Sequence, residues 1–576
     1  MLAQGGSYLW IGESPISRYR GWFFGTAGNN LLKVIEDIRI KDNGRFVVFE
    51  NNLWNVKRIS REFTERFFLP AADCLAYETD KPAPIEFFLD VKAPYENPEF
   101  GRYYKVWQED DLLIINFHQA TPNSPAEIYV AVCGDFKELQ IRDEWIRRDY
   151  SFDRRRGSVP WERWVFKPAV LTASKLVFAV GLTEEDAVAA AKVHWNDFEK
   201  IKRLKREKSG GMKMGVKIPM FFEKKDDSVE IGMAEICARN SLAMLLAGAN
   251  GAIGLRAGLP WFFQFWKRDE TVSLPALARF EEAAAMKIFW RQLNGLAVDS
   301  ADARTADWPG WLFFAGAGFL KNFKFNIGEA GLVSIRLEKE IEGLLKNNTK
   351  NNFAVNGVGK TWMDSLARAG AGVEIQALRL NMYDLAAELA EDKKQRNYYS
   401  GLKKNLLVAF RKSFFDGNRL ADTFDPDKNE ADFTVRPNIF LAEYLYPGLL
   451  KKDEWARCFE HALDELWLDW GGLATVGKSD PRFIGRDTGE NSAAYHNGDS
   501  WFWVNNIAAI AMARIDKKRF KKYIEKIFAA SKNDILWNAA LGCASEISSA
   551  FEYEAVGCAN QAWSAAIFLE LLRERK

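Results

Sequence analysis

The sequence predicts a multidomain α and β protein, with an N-terminal antiparallel β-sandwich followed by a helical toroid or solenoid. Three observations lead to this prediction. The 576 residues are more than one ordinary hydrophobic core supports, so two or more domains are expected. The first third of the chain holds short apolar or alternating runs broken by turn residues. The remainder is rich in Ala, Leu, Lys and Glu at helical spacing.

Residues 1–182 carry the β-pattern. Runs such as RFVVFENNLWNV and KLVFAVGL have the length and apolar content of strands, and Gly, Pro, Asn and Asp separate them. Many short strands with regular turn residues are typical of an antiparallel sandwich. We therefore assign residues 1–182 to an N-terminal β-sandwich domain.

The pattern changes at Thr183, and we assign residues 183–228 to a linker helix and loop. A threonine followed by acidic residues begins a helix well, and the lysines and arginines that follow suit its end. Residues 229–576 form the helical domain, in which no fixed repeat is visible. The predicted helices are 229–247, 270–293, 311–322, 373–391, 394–414, 453–466, 500–514, 517–530 and 560–574.

Charge and cysteine pattern exclude several classes of protein. Lys and Arg number 79 and Asp and Glu 78, so no basic excess favours a nucleic-acid partner. No apolar run reaches the roughly 18 residues of a membrane span, and the N-terminus lacks a signal-peptide pattern. The six cysteines are scattered without a CxxC pair, and only four histidines are present. We therefore expect no disulfide framework, no metal site and a cytoplasmic protein.

Tryptophan, glycine and carboxylates cluster in the loops between the predicted helices, and such loops on a rigid scaffold commonly carry function. The chain contains 21 tryptophans. Their rings could stack on the faces of sugars or fill large helical interfaces, and composition alone leaves both interpretations open.

The segment 258–277 places Arg268 and Asp269 just before a helix, with Trp261 and Trp266 beside them. A guanidinium donor next to a carboxylate acceptor can grip neighbouring sugar hydroxyls. In the alternative interpretation, Asp269 caps the helix and Arg268 forms a surface ion pair. The residues alone do not decide between the two.

The segment 356–392 contains Trp362 and Asp364 in a loop bounded by glycines, and Glu374 begins the following helix. A carboxyl group beside a tryptophan can have a raised pKa through desolvation, as a general acid requires. Acidic residues are also common at helix N-termini for structural reasons, so both interpretations stay open.

Three more stretches combine polar and aromatic residues. Arg436 lies in the sequence RPNIF after a loop rich in aspartate, and the long polar loop 473–506 contains His496 and Trp501. A loop of this length without regular structure is usually functional or disordered, and its aromatic residues argue against disorder. Glu546 is isolated among small residues. It is either part of a functional site or a capping or hydrogen-bonding residue.

Seven short motifs occur in a characteristic order, and together they resemble the amylo-α-1,6-glucosidase domain of glycogen-debranching enzymes. The resemblance covers about residues 250–576 and implies that the domain 229–576 is an (α/α)6 barrel, as in glucoamylase-like glycoside hydrolases. The motifs in this sequence are WKRD (266–269), TWMD (361–364), VEIQAL (373–378), RPN (436–438), SDPRF (479–483), AYHNG (494–498) and SEI…QAWS (545–564).

By position in these motifs, the resemblance implies that Asp364 is the general acid and Glu546 the general base of an inverting hydrolysis. The two carboxyl groups of such enzymes stand about 6.5–9.5 Å apart, because a water molecule must fit between base and sugar. No metal or organic cofactor is implied. The expected substrate-binding residues are Arg268, Asp269, Trp261, Trp266, Trp362, Glu374, Arg436, His496 and Trp501.

The implied function is release of glucose from α-1,6 branch points of glycogen or limit dextrin, with malto-oligosaccharides as further ligands. One alternative is an exo-α-glucosidase that acts on α-1,4 ends or on trehalose. Another is a non-catalytic glycan-binding protein on the same scaffold. Nucleic acids and membranes are not expected as partners.

Overall fold

In the computed structural model of the protein, the described residues are 1–12, 16–25, 30–120, 126–209, 214–217, 226–249, 252–296, 305–538 and 540–575. The chain divides into two compact units. The first comprises Met1–Ala252 with Ala540–Cys543, and the second comprises Ile253–Ala539 with Ala544–Lys576. The first unit therefore extends beyond residue 228, at which the sequence analysis ended the linker.

The first unit is built on one large antiparallel sheet, which confirms the predicted β-class of the N-terminal part. Its strands are β1 (Leu2–Gln4), β2 (Ser7–Trp10), β3 (Gly21–Gly25), β4 (Leu31–Ile40), β5 (Val48–Asn51), β6 (Val56–Ile59), β7 (Thr64–Ala71), β8 (Cys74–Lys92), β9 (Arg102–Glu109), β10 (Leu112–Gln119), β11 (Ala126–Gly134), β12 (Lys137–Asp149), β13 (Glu162–Gly181) and β14 (Met214–Lys217).

Two long strands, β8 and β13, change partners along their length. The first half of β8 pairs with β7 and its second half with β4, while β13 pairs first with β12 and then with β11. Register irregularities interrupt these ladders, and such bulges bend and twist a strand. One apolar core contains buried residues from many strands of the sheet, among them Trp22 on β3, Phe87 on β8 and Phe178 on β13.

Among the described residues of the first unit, four helices accompany this sheet: α1 (Ser151–Arg155), α2 (Glu184–Asn196), α3 (Phe198–Lys208) and α4 (Asp227–Leu245). The side chain of Thr183 caps α2, as the sequence predicts, by accepting a hydrogen bond from the backbone N–H of Asp186. The predicted single linker helix is two helices, because the chain breaks at Asp197. Small residues on α2, including Ala187 and Ala191, pack on the sheet.

The second unit contains eleven helices among its described residues, and alternate helices form a closed ring. The inner helices α5, α7, α9, α11, α13 and α15 each pack on the next, and α15 packs on α5. This arrangement confirms the predicted barrel class. The helices are α5 (Lys267–Leu277), α6 (Glu282–Gly295), α7 (Trp308–Asn322), α8 (Ile327–Asn347), α9 (Val373–Leu389), α10 (Lys393–Phe414), α11 (Asn438–Leu445), α12 (Lys452–Leu466), α13 (Phe502–Asp516), α14 (Lys521–Trp537) and α15 (Ala562–Arg575), with a 3-10 turn at Pro447–Leu449.

The inner and outer helices differ in how their buried residues are spaced along the sequence. The inner helix α13 is buried without interruption over 502–512, and all eight residues of α11 are buried. The outer helix α8 buries only one stripe, of which Val333, Leu337 and Ile341 are members. A helix that is apolar all round belongs in a core, whereas a single apolar stripe suits a helix with one face in water.

Short antiparallel strands tie the N-terminal ends of the inner helices together. The strands after β14 are β15 (Leu246–Ala249), β16 (Ala252–Leu255), β17 (Gly258–Leu259), β18 (Thr349–Lys350), β19 (Phe353–Ala354), β20 (Ala371–Gly372), β21 (Thr423–Asp425), β22 (Glu430–Asp432), β23 (Trp467–Leu468), β24 (Gly472–Leu473), β25 (Ser500–Trp501), β26 (Ile547–Ser548) and β27 (Asn560–Gln561). Within the second unit β17 pairs with β27, β20 with β21, and β25 with β26; α9, α13 and α15 begin directly after β20, β25 and β27.

Some helix predictions were wrong in detail. The predicted helix 270–293 is two helices, α5 and α6, and the predictions omitted α8 and α11. In the part of the chain that the structure describes, no helix has both the length and the apolarity required to cross a membrane.

Candidate active site

A cavity of about 130 Å³ lies at the N-terminal ends of the inner helices of the second unit. Its walls come from the first turns of α5 and α15 and from the loops that precede α9 and α13. The lining residues are Ala257, Phe262, Trp266, Arg268, Asp269, Trp362, Asp364, Tyr495, Trp501, Glu546, Gln561 and Trp563. The cavity thus brings both implied catalytic carboxyls together with the predicted Arg268–Asp269 pair.

Asp364 occupies the glycine-bounded loop between β19 and β20. Its side chain is 39 % exposed, and it lines the cavity. Burial raises the pKa of Asp364; the charge of Arg268 opposes that effect, and the carboxylate of Asp307 adds to it. A raised pKa favours the protonated form, which is the form a proton donor needs.

Arg268 is buried on α5 and holds several partners at once. Its Nε lies 2.8 Å from Oδ2 of Asp307, at an angle that makes the contact an ion pair and not an aligned hydrogen bond. Its Nη1 lies 3.4 Å from Oδ2 of Asp364, and its Nη2 donates to the carbonyl oxygen of Thr361 at 2.9 Å. Burial alone would lower the pKa of Arg268, but the surrounding carboxylates outweigh it, so the pKa is raised and the guanidinium stays charged.

Asp269 follows Arg268 in the first turn of α5, and it is buried. Gln561 donates to its Oδ1 from Nε2 at 3.2 Å. Burial raises the pKa of Asp269 to about 8; Arg268 opposes the shift, and the charges of Glu546 and Asp364 add to it. Three carboxyl groups therefore influence one another across this cavity.

Glu546 directly precedes β26, and hydrogen-bond donors hold both of its carboxylate oxygens. The hydroxyl of Tyr495 donates to Oε1 at 2.5 Å, and the backbone N–H of Cys558 donates to Oε2 at 2.8 Å. Hydrogen bonds of this kind stabilise an ionised carboxylate. Both carboxylate oxygens of Glu546 are thus held by donors, whereas the side chain of Asp364 is 39 % exposed.

Tryptophan rings form one wall of the cavity. Trp362 donates from Nε1 to Oδ1 of Asn438 at 2.7 Å, which fixes its ring. Its ring meets that of Trp501 edge to face at 5.6 Å, and Trp501 meets Trp563 in the same way at 5.7 Å. Trp501 is fixed in turn by donating to the carbonyl oxygen of Tyr495. Rigid aromatic faces of this kind suit the apolar face of a sugar ring.

Glu374 and Arg436, two of the predicted substrate-binding residues, are buried and do not line this cavity. Glu374 accepts two hydrogen bonds from Arg368, at 2.6 and 2.8 Å. Arg368 also binds Asp422, so the pair belongs to a buried ion network. Arg436 donates from Nη1 to the carbonyl oxygens of two residues, one of which is His496.

His496 and Trp261 also lie outside the lining. The His496 ring stacks on Trp501 at 5.1 Å, and its Nδ1 lies 2.6 Å from Oγ of Ser365. Burial, together with the positive charges of Arg436 and Arg268, lowers the pKa of His496 to about 3, so the imidazole is neutral at physiological pH. Trp261 is half-buried next to the lining residue Phe262.

The predictions omitted Tyr495, Phe262, Gln561 and Trp563 from the cavity. Tyr495 belongs to the AYHNG motif, and Gln561 and Trp563 belong to QAWS, so the sequence contained the signal in motifs that were already identified. Asp307, which forms an ion pair with Arg268, is buried and does not line the cavity. Its only sequence signal is its place before α7, where an acidic residue is typical of helix caps.

Comparisons with known proteins bear on the fold of the chain and on the family that its C-terminal part resembles. Residues 320–570 match the family model described as amylo-alpha-1,6-glucosidase. A bacterial glucoamylase in complex with acarbose has a similar structure, with a TM-score of 0.61, 11% identity, and coverage of 100% of this chain and 94% of that one. A glycosidase in complex with glucose gives a TM-score of 0.46 and 12% identity, covering 61% of this chain and 99% of that chain. No curated protein sequence matches. The resemblance to this family is thereby confirmed over residues 320–570, and the glucoamylase fold over the whole chain.

Proposed function

We propose that this protein is an inverting glycoside hydrolase that releases glucose from α-1,6 branch points of glycogen or limit dextrin. The observation that carries the proposal is the contrast between two carboxyl groups on one cavity. Asp364 has a raised pKa and opens onto the cavity. Glu546 is buried and accepts two hydrogen bonds that stabilise its charge. Carboxyl groups whose environments differ in this way suit separate acid and base roles.

The reaction follows from these two environments. Asp364 gives its proton to the glycosidic oxygen as the bond from that oxygen to the anomeric carbon breaks. Glu546 takes a proton from a water molecule, which attacks the anomeric carbon from the opposite face of the ring. The products are a glucose of inverted configuration and a shortened acceptor with a free hydroxyl. Arg268 stabilises the carboxylate left on Asp364, and proton exchange with solvent restores both groups.

The remaining cavity groups support binding of a terminal sugar. Arg268 and Gln561 supply donors and Asp269 supplies a carboxyl group, while the wall formed by Trp362, Trp501 and Trp563 offers apolar faces. A few polar groups on an otherwise aromatic wall can fix both the orientation and the identity of a small ligand. This combination supports a neutral sugar over a charged substrate.

The choice of an α-1,6 linkage rests on the family model that matches residues 320–570. The glucoamylase of similar structure is in complex with acarbose. Hydrolysis of α-1,4 ends or of trehalose is the second candidate, favoured by the glucoamylase fold. None of the six cysteines, all of which the structure describes, forms a disulfide, which supports a reducing compartment such as the cytoplasm.

The first prediction tests the catalytic pair by glucose release from limit dextrin, starch, isomaltose and trehalose. Asp364→Asn and Glu546→Gln should each lower kcat by roughly 10²–10⁴-fold, because general acid or base catalysis contributes about that much. Asp384→Asn is the matched control, since this carboxylate pairs with Lys403 on the surface and should leave kcat unchanged.

Three results would contradict parts of this proposal. Near-normal activity of Asp364→Asn or Glu546→Gln would exclude the catalytic pair. Glucose release from starch or trehalose without release from limit dextrin or isomaltose would replace the α-1,6 assignment. Tight binding of dextrin by a wild-type protein that hydrolyses none of the four sugars would identify a glycan-binding protein.

A further inference from the structure

Three side chains with metal-binding atoms meet in the first unit. Asp73 and Cys74 lie at the tight connection from β7 to β8, and His194 lies in the last turn of α2. A carboxylate oxygen, the sulfur and an imidazole nitrogen of these residues all lie within 4.8 Å of one another. The sequence predicted no metal site, because a site assembled from a turn and a distant helix has no local cysteine spacing to reveal it.

The imidazole of His194 is the most informative member of this cluster. Its Nδ1 is shielded from solvent and has no hydrogen-bond partner among the described residues. An imidazole nitrogen always has a proton to donate or a lone pair to offer, and nearly all shielded polar atoms in native proteins are paired. A cation bound through this nitrogen would give it a partner.

We propose that Asp73, Cys74 and His194 bind a zinc ion, with water as the fourth ligand. Oxygen, thiolate sulfur and imidazole nitrogen are the atoms that zinc takes in proteins, at about 2.0–2.3 Å. A set with one sulfur and one nitrogen disfavours magnesium and calcium, which prefer oxygen alone. To reach tetrahedral spacing, the ligand atoms would move together by about 1 Å, which side-chain rotation can supply.

The thiol of Cys74 must lose its proton when the ion binds. Zinc binding would replace that proton, and affinity should therefore increase with pH. The proton passes to solvent, and no oxidant or reductant takes part.

The surroundings of this cluster favour a structural role. Cys74 is held in the sheet by pairing with Ala71 and Ala179, and the backbone N–H of Val180 donates to the carbonyl oxygen of Asp73 at 2.9 Å. Helix α2 packs on the same strands. An ion bound here would fasten α2 to the sheet and stabilise the folded first unit, because a ligand that binds only the native state increases stability.

The test is a titration of chelator-treated full-length protein with zinc, followed by calorimetry, and with cobalt, followed by absorption. We expect one zinc per chain and a sulfur-to-cobalt charge-transfer band. Cys74→Ala should lose that band, and His194→Ala should lower zinc affinity at least tenfold. His118→Ala is the matched control, because this histidine is exposed on β10 and should bind zinc as the wild type does.

Each outcome of this test decides the proposal. His194 is only partly buried, so His194→Ala should remain folded, which circular dichroism checks. Absence of zinc binding in the wild type would overturn the site. So would wild-type affinity in His194→Ala, or a cobalt spectrum without thiolate ligation. Glucose release is not part of the readout, so the test is independent of the proposed hydrolysis.

Discussion

Burial raises the pKa of Asp364, and the charges of Arg268 and Asp307 modify that shift. Arg268, on α5, would keep this carboxyl ionised if it acted alone. Asp307, the residue before α7, is buried and forms no capping hydrogen bond, and its carboxylate pairs with Arg268 instead. Its negative charge offsets the guanidinium and raises the pKa of Asp364. Asp307 thus contributes to the raised pKa of Asp364 without lining the cavity.

A second prediction follows for Asp307→Asn. Removing this charge should lower the pKa of Asp364, because the positive charge of Arg268 is no longer offset. The proton donor would then be lost at a lower pH, so the alkaline limb of the kcat profile should move to lower pH. Asp384→Asn controls for a general change in surface charge. An unchanged alkaline limb, with folding intact, would show that Asp307 has no such role.

For single residues, the sequence predicted which side chains lie at the cavity better than it predicted what each side chain contacts. Order within motifs was enough to place Asp364, Glu546 and Arg268 on one cavity. It was not enough to show that Glu374 is paired with Arg368, because an ion pair inside the fold depends on how the loop before α9 turns back on that helix. A carboxylate in a motif looks the same in sequence whether it meets a ligand or an arginine.

Among the structural elements, the turn between β26 and β27 holds the implied base in place. Gly557 lies in this turn. A Cβ atom there would come 2.5 Å from Oε2 of Glu546 and 2.9 Å from its Cβ. Contacts this short require movement, and the oxygen concerned is the one that accepts from the N–H of Cys558. A side chain at position 557 would therefore displace Glu546 from its donors.

The third prediction is that Gly557→Ala lowers kcat at least tenfold while the protein remains folded. A shift of the base by about 1 Å is enough for a loss of that order. Gly343→Ala is the matched control: this glycine is within α8 with nothing near its Cβ position, so alanine should keep kcat and add about 0.5–1 kcal/mol of stability. Wild-type kcat in Gly557→Ala would mean that the turn has room to adjust.

The helix boundaries show where the local sequence pattern is sufficient to predict a helix. Helix α10 was predicted to within a residue because Asp392 caps it, accepting from the backbone N–H of Gln395. Helices α5 and α6 were predicted as one helix because the four residues between them include neither proline nor glycine. Helix α8 was missed despite the capping box of Asn326 and Glu329, a signal that was present in the sequence.

For the whole molecule, local pattern predicted a β-part followed by a helical part, but it could not predict that the inner helices close into a ring. Closure depends on α15 packing against α5, at opposite ends of the second unit, and no local pattern records such a contact. The barrel was inferred from the order of motifs. Closure also explains why residues as distant as Arg268 and Trp563 line one cavity.

The ring also buries carboxyl groups that the proposed chemistry does not use. Glu443 lies on the inner helix α11, and neither of its carboxylate oxygens has a hydrogen-bond partner among the described residues. Burial raises its pKa to about 8, with Arg514 opposing the shift. Asp534 is also buried, and its pKa is raised to about 7. Such groups are protonated in the folded chain at a pH where the unfolded chain has already lost the proton.

A final prediction concerns stability against pH. A carboxyl group whose pKa is higher in the folded state than in the unfolded state stabilises the fold at low pH. This contribution to stability is complete below the unfolded pKa of about 4, and it is lost as the pH rises towards 8. Each such group reduces the unfolding free energy by about 1.4 kcal/mol per pH unit within this window. In Glu443→Gln the position stays neutral at every pH. Urea unfolding at pH 5 and pH 8 should therefore show a smaller loss of stability for Glu443→Gln than for the wild type. Comparing the two losses cancels any pH-independent cost of the substitution, and equal losses would show that Glu443 is ionised in the folded protein.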